Sequence, residues 1–182
     1  MTRWWLGLML TAGCAASKHD VTSHQIKSQT SDFLRAADYY PLGEGTRWTY
    51  DVELLGEKRS MEIRLLRKTP DGAMEDSTGA QLRADQFGIR DDRRYLLKEP
   101  IEVGQTWTNV VSASSAEKYE IVAVGKTCAS PLGSWQNCVV VRSTNRIKEG
   151  ENLVNELTFA PGVGIVHLAT EIDLGGQKIR QS

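Results

Sequence analysis

No run of apolar residues in this 182-residue chain is long enough to cross a bilayer. A spanning helix needs about 20 consecutive apolar residues. The N-terminal stretch from Trp4 to Ala12 stops far short, and no later segment approaches that length. Excess charge is missing too: 22 basic and 23 acidic residues leave a formal net charge of −1. That balance, without a polybasic cluster, argues against nucleic acid and against an electrostatic grip on anionic lipid. The densest basic group, Arg90-Asp91-Asp92-Arg93-Arg94, is largely neutralised by its own aspartates and reads as a solvated turn. Gly-rich phosphate loops, zinc-type spacings and calcium loops are absent from the sequence, so no metal and no cofactor is expected. After residue 40 no segment keeps a 3.6-residue apolar period over three turns, which excludes a helical domain.

What is present begins at the N-terminus. Met1-Thr2-Arg3 supplies one positive charge, nine uncharged residues come next, and small residues lead to Gly13-Cys14. This is the layout of a secretory signal peptide. Leu10-Thr11-Ala12-Gly13-Cys14 also resembles the lipobox of bacterial lipoproteins, with Thr11 where Leu is usual. The resemblance implies that residues 1–13 are removed and that Cys14 is acylated, palmitate among its chains. A plain signal peptide and a buried helix are the alternatives. Each buried methylene contributes about 0.8 kcal/mol, so several acyl chains on one cysteine make a lasting anchor. Loss of residues 1–13 removes Arg3 and no acid, taking the net charge from −1 to −2. Ala15, rather than Asp, comes after the cysteine; by the same resemblance this favours the outer membrane, on its periplasmic side or at the cell surface.

Setting Cys14 aside leaves Cys128 and Cys138, an even pair suited to an oxidising compartment. They flank a segment with the Pro131 and Gly133 of a turn. A bridge there closes an 11-residue loop and contributes about 3 kcal/mol in the chain-entropy picture. Free thiols or a redox pair are the other readings, although redox cysteines are usually closer in sequence.

Residues 14–38 read as the lipidated cysteine and a polar tether with too little apolar surface to offset its own ordering. Asp32 to Tyr39 has room for one or two helical turns capped by Ser31 or Asp32. Residues 39–182 read as one β-rich domain. Trp48, Tyr50, Val52 and Leu54 alternate with polar residues, as do Met61, Ile63 and Leu65. Turns are expected at Gly56-Glu57, Pro70-Asp71-Gly72 and Lys148 to Asn152, with short strands over 80–98. Val139-Val140-Val141 suggests a central strand covered on both faces. In the last long strands, parity puts Val166 and Leu168 inside and His167 outside. The fold class is therefore all-β: a single antiparallel meander forming a curved sheet or half-barrel, a closed barrel, or a sandwich.

Two segments echo each other. Pro41-Leu42-Gly43-Glu44-Gly45-Thr46-Arg47-Trp48 and Pro100-Ile101-Glu102-Val103-Gly104-Gln105-Thr106-Trp107 share Pro, an aliphatic residue, Gly at the fifth place and Trp at the eighth. Each reads as a tight turn at Gly leading into a strand whose Trp packs inward. One isolated pair is no solenoid repeat; a duplicated half-domain is the reading it suggests.

Tyr39-Tyr40-Pro41-Leu42, Trp48 and Tyr50, then Pro131-Leu132-Gly133-Ser134-Trp135-Gln136-Asn137-Cys138, then Phe159-Ala160-Pro161-Gly162-Val163-Gly164-Ile165-Val166, occur in that order. In this the chain resembles a group of bacterial envelope lipoproteins without assigned chemistry. It departs from their pattern at Thr46, Leu132, Trp135 and Phe159, where Asn, Ala, Phe and Tyr are usual. The resemblance implies a β-rich envelope domain and names no reaction.

Catalytic readings are weak. Ser115-Ala116-Glu117-Lys118 matches Ser-x-x-Lys, but that chemistry needs a helix start and partner motifs absent here. His19 and His24 lie in the tether, and His167 stands alone without a base or nucleophile. A carboxylate dyad cannot be placed from sequence. No catalytic residue is therefore assigned, and a hydrolase ranks third. The leading expectation is a non-catalytic lipoprotein that binds an envelope protein or supports an outer-membrane assembly. The alternative is a carrier of lipid or another hydrophobic ligand, lined by Trp48, Tyr50 and Trp107, which would need an apolar cavity of several hundred Å³. Leu132 and Trp135 form either a turn folded back on the core or an apolar tip that meets lipid or a partner.

Overall fold

The alternation of apolar and polar side chains becomes strand almost throughout the computed structural model, which describes residues 34–54, 57–113, 115–175 and 178–181. A short helix, α1 (Ala36–Tyr39), comes first. The first sheet holds β1 (Arg47–Leu54), β2 (Glu57–Lys68), β3 (Met74–Asp76), β4 (Gln81–Asp85), β5 (Gly88–Arg90) and β6 (Tyr95–Lys98). The second holds β7 (Thr106–Ser112), β8 (Ser115–Ser130), β9 (Gly133–Lys148), β10 (Glu151–Ala160), β11 (Gly164–Leu174) and β12 (Lys178–Gln181). Within each sheet, every strand pairs antiparallel with its neighbours in sequence, so each is a six-stranded meander. The class is all-β, and the choice between open and closed is resolved as two sheets, one a curled half-barrel. The curl brings β8 and β11 into contact, although two strands separate them in the sheet order.

The core lies where the inner faces of both sheets meet. Leu65, Ile89 and Leu97 from the first sheet join Ile121, Val139, Val141 and Phe159 from the second, all completely buried. Each such side chain is worth about 1.5–3 kcal/mol on leaving water. Ala36 and Tyr39 are buried with them and Leu34 packs against the same cluster, so packed residues begin ahead of the 38/39 boundary drawn from sequence. Within α1, the Asp38 carboxylate accepts a hydrogen bond from the Arg35 backbone N–H at 2.7 Å. Ser31, Asp32 and Gly56 lie outside the described residues.

Several strand and turn expectations hold in detail. Pro70-Asp71-Gly72 turns with the Gly72 N–H donating to the Thr69 carbonyl at 2.9 Å, and β9 gives way to β10 between Lys148 and Glu151. β9 is central, but its β-branched run is fully buried only at Val139 and Val141, with Val140 half-buried. The parity of β11 needs correction. Thr158 pairs with His167 and Phe159 with Ile165, leaving Val166 as an extra residue. Such a bulge reverses the inside–outside count on its N-terminal side only: Ile165 joins Phe159 on the inner face, while Leu168 and Ile172 keep that face opposite Leu157 and Leu153. His167 is exposed as expected, but Leu168 is 51% exposed and Ala169 is the buried residue.

Candidate functional site

The three segments that carry the lipoprotein resemblance meet in space. Tyr39 at the end of α1 donates its hydroxyl to the Asn137 carbonyl, 2.9 Å away, at the base of the β8–β9 hairpin. The Gly162 N–H, in the β10–β11 turn, donates to the Asp38 carbonyl at 2.7 Å. Trp48 leans on Tyr40 with ring centroids 5.1 Å apart and gives its indole N–H to the Val163 carbonyl at 2.5 Å. Gly164 permits this approach: a Cβ there would lie 3.1 Å from Trp48 Nε1, at a φ of +103° that side chains avoid. These residues lock three distant parts of the chain together. Their role here is architectural.

Trp48 and Trp107, placed by the carrier reading beside a ligand, are instead buried in the core. Trp107 stacks on Tyr119 at 5.3 Å and donates its indole N–H to the Tyr95 carbonyl at 2.9 Å. Tyr50 is half-buried, and its hydroxyl pKa is pushed up to about 12 by burial. Both Trp hydrogen-bond donors are thus committed to backbone. Two surface hollows, of about 320 and 470 Å³, are rimmed by charge. Arg142, Glu156, Glu171, Lys178 and Arg180 line the first, and Asp51, Glu53, Lys58 and Arg59 the second. Neither is the apolar cavity a carrier requires.

Cys128 and Cys138 form a disulfide with Cα atoms 6.0 Å apart. They are not register partners: Cys138 faces Lys126 and Cys128 faces Trp135. Three register shifts between Ile121 and Cys128 bend β8, and the bridge spans the last of them diagonally. Beyond it the hairpin leaves the core. Leu132 at the tip is 87% exposed, and Trp135 is half-buried with its ring beside Gly133. Trp135 does not fold back into the core cluster. Cys14, His19 and His24 lie outside the described residues.

Ser115 and Lys118 are three places apart on one strand, so alternation puts them on opposite faces of β8. Ser115 gives its hydroxyl to Asn145 at 3.5 Å. Asp91 accepts the backbone N–H groups of Arg93 and Arg94 at 2.8 and 2.7 Å, which makes the basic group a turn, as its composition implies. Among the described residues no group of three or more His, Cys, Asp or Glu could hold a metal ion.

One surface was not singled out by sequence. On the inner face of the half-barrel, a polar row crosses the strands. Arg94 faces Glu117 at 3.6 Å, Glu117 accepts the Tyr119 hydroxyl at 2.8 Å, and Ser143 is bonded to Tyr119. Asn155 reaches Ser143 at 3.4 Å and accepts the Thr170 hydroxyl at 2.9 Å. Burial, reinforced by Glu117, raises the Tyr119 pKa. Register pairing sets Leu157 against Leu168 on one side of this row, and Leu153, Ile172 and Ile179 on the other. Leu168 and Ile179 are 51% and 46% exposed. The alternation Leu153, Asn155, Leu157, Phe159 was visible in the sequence, but which of those residues stay uncovered was not.

The chain matches no protein-family model, no curated protein and no solved structure.

Proposed function

We propose that this protein is a lipid-anchored lipoprotein of the bacterial envelope whose β-domain is a non-catalytic binding module, engaging a partner protein at the outer membrane. The observation that carries the binding role is the inner face of β10 to β12. There, apolar rows at Leu157–Leu168 and Leu153–Ile172–Ile179 flank the hydrogen-bonded Asn155–Thr170 row and remain partly open. Exposed apolar rows beside committed polar groups suit a protein surface better than a small solute. Export is supported by the Cys128–Cys138 disulfide and by the signal and lipobox pattern ending at Cys14.

The test uses the mature chain purified from its native membranes after in-cell crosslinking. A stoichiometric protein should crosslink to the wild type and be lost from Leu168→Asp and Ile179→Asp, while the fold is retained by far-UV circular dichroism. Bound lipid in place of protein would favour the carrier instead. Intact-mass measurement of the same sample should find acyl chains on Cys14; an uncleaved N-terminus without fatty acid defeats the anchoring half of the reading.

A further inference from the structure

The β8–β9 hairpin differs from the rest of the surface in what it presents. Between Ile121 and Val141 the only charged residue is Lys126. At the opposite end of the same sheet, the β9–β10 turn is charged, with Lys148 paired to Glu151 at 2.8 Å. Two residues, 129 and 130, run from the bridged Cys128 to the turn, and five, 133–137, run from it to the bridged Cys138, so the tip stands roughly 10–15 Å beyond the bridge. It carries Pro131, Leu132 and Gly133, with Trp135 one turn of the pleat behind.

Several of its polar groups are already partnered. Ser130 pairs with Gly133 across the turn, the Leu132 N–H reaches the Ser130 hydroxyl at 3.2 Å, and Thr127 bonds Gln136 at 2.8 Å. Burying partnered groups avoids most of the penalty of taking them out of water. An exposed Leu ahead of an indole is the arrangement that seats at a lipid surface, apolar tip inward and Trp at headgroup level. The Tyr39–Asn137 hydrogen bond holds the start of the described chain against the base of this hairpin. Residues 15–33 then link it to Cys14 and can extend to at most about 65 Å. That tether limits distance but sets no orientation.

We propose that the Pro131–Gly133 tip, backed by Trp135, seats in the lipid surface that holds the anchor and so gives the domain a second, non-covalent contact with the membrane. This rests on the anchored reading of the chain. The occupant is the bilayer itself, at the boundary between headgroups and acyl chains. The disulfide serves the contact by holding the hairpin rigid where it leaves the core.

The experiment reconstitutes the mature chain from native membranes into phosphatidylethanolamine–phosphatidylglycerol vesicles whose acyl chains carry bromine, a short-range quencher of indole fluorescence. Trp48 and Trp107 are buried, so the difference between wild type and Trp135→Phe isolates Trp135. Quenching of that difference signal is expected. Leu132→Asp should shift the docked-to-undocked ratio about ten- to a hundredfold toward undocked, from the loss of one buried Leu. Leu168→Asp, on the partner face, should leave it unchanged. Unquenched Trp135 in the wild type, or quenching indifferent to Leu132→Asp, overturns the proposal, as does an equal loss in Leu168→Asp. Far-UV circular dichroism checks that each variant is folded. Mass spectrometry on the same sample reports acylation separately, so absence of acyl on Cys14 with Trp135 still quenched refutes the anchor and leaves the tip contact standing.

Discussion

The two sheets start the same way and then diverge. In the first, Gly45 at φ +80° donates its N–H to the Leu65 carbonyl at 2.9 Å, and Leu65 returns its N–H to Thr46 at 2.8 Å. In the second, Gly104 at φ +88° donates to Ile121 at 2.8 Å, and Ile121 returns its N–H to Gln105 at 2.9 Å. Trp48 then pairs with Ile63 and Trp107 with Tyr119. Each indole donates across to the other sheet, Trp48 to Val163 and Trp107 to Tyr95. The echo between residues 41–48 and 100–107 is thus a shared device: a left-handed Gly that closes a turn, and after it a Trp that fastens one sheet to the other. Past this common start, the strand lengths part. The first sheet continues in strands of three to five residues after β2, while the second runs through strands of 16, 16, 10 and 11 residues. Short strands end at the core. Long ones outrun it, and the surplus becomes the open inner face and the projecting hairpin.

If the two starts are equivalent, Trp48→Ala and Trp107→Ala should destabilise the protein comparably, each by about 3–5 kcal/mol in urea unfolding. A large disparity between them would break the comparison. Next in size come the paired glycines. Nothing lies within 4 Å of a Cβ added at Gly45 or Gly104, so Gly45→Ala and Gly104→Ala should each cost only the left-handed backbone term, about 1–2 kcal/mol. Gly164→Ala, where the added Cβ would press on Trp48, should cost more than either; an equal cost would mean the indole shifts freely. The smallest effect at neutral pH is expected for Tyr50→Phe. The Tyr50 pKa, raised to about 12 by burial, exceeds the ordinary value of about 10 for an unfolded tyrosine. Below pH 10 both states are protonated and the stability is intact; above it the unfolded state ionises first, so stability falls as pH rises from 10 toward 12. Tyr50→Phe should flatten that fall in a pH series of urea midpoints.

Much of the fold was legible in the sequence for local reasons. The alternation from Trp48 to Val52, the turn at Pro70-Asp71-Gly72 and the cysteines flanking Pro131 and Gly133 depend on neighbours along the chain, and the strands, the turn and the disulfide result from them. Val166 was misplaced because it is the extra residue of a bulge, which leaves no mark in composition, and Leu168 lies on the expected inner face but is 51% exposed there. The indoles of Trp48 and Trp107 were legible as inward-facing, but their acceptors are 115 and 12 residues away and belong to the opposite sheet. No periodicity reports such partners. Of the two proposed binding surfaces, the hairpin tip was marked by its turn chemistry and lack of charge, whereas the inner face was unmarked.

Strand class, turn positions and the cystine were decided by the sequence, because side-chain period, turn propensity and cysteine number act over short stretches of chain. Tertiary structure alone decided that the strands divide into two sheets, that both Trp side chains are fasteners, and that Leu168 and Leu132 stay uncovered. Exposure is a property of what else arrives at a residue, and the described fold leaves Leu168 half open and Leu132 almost wholly so.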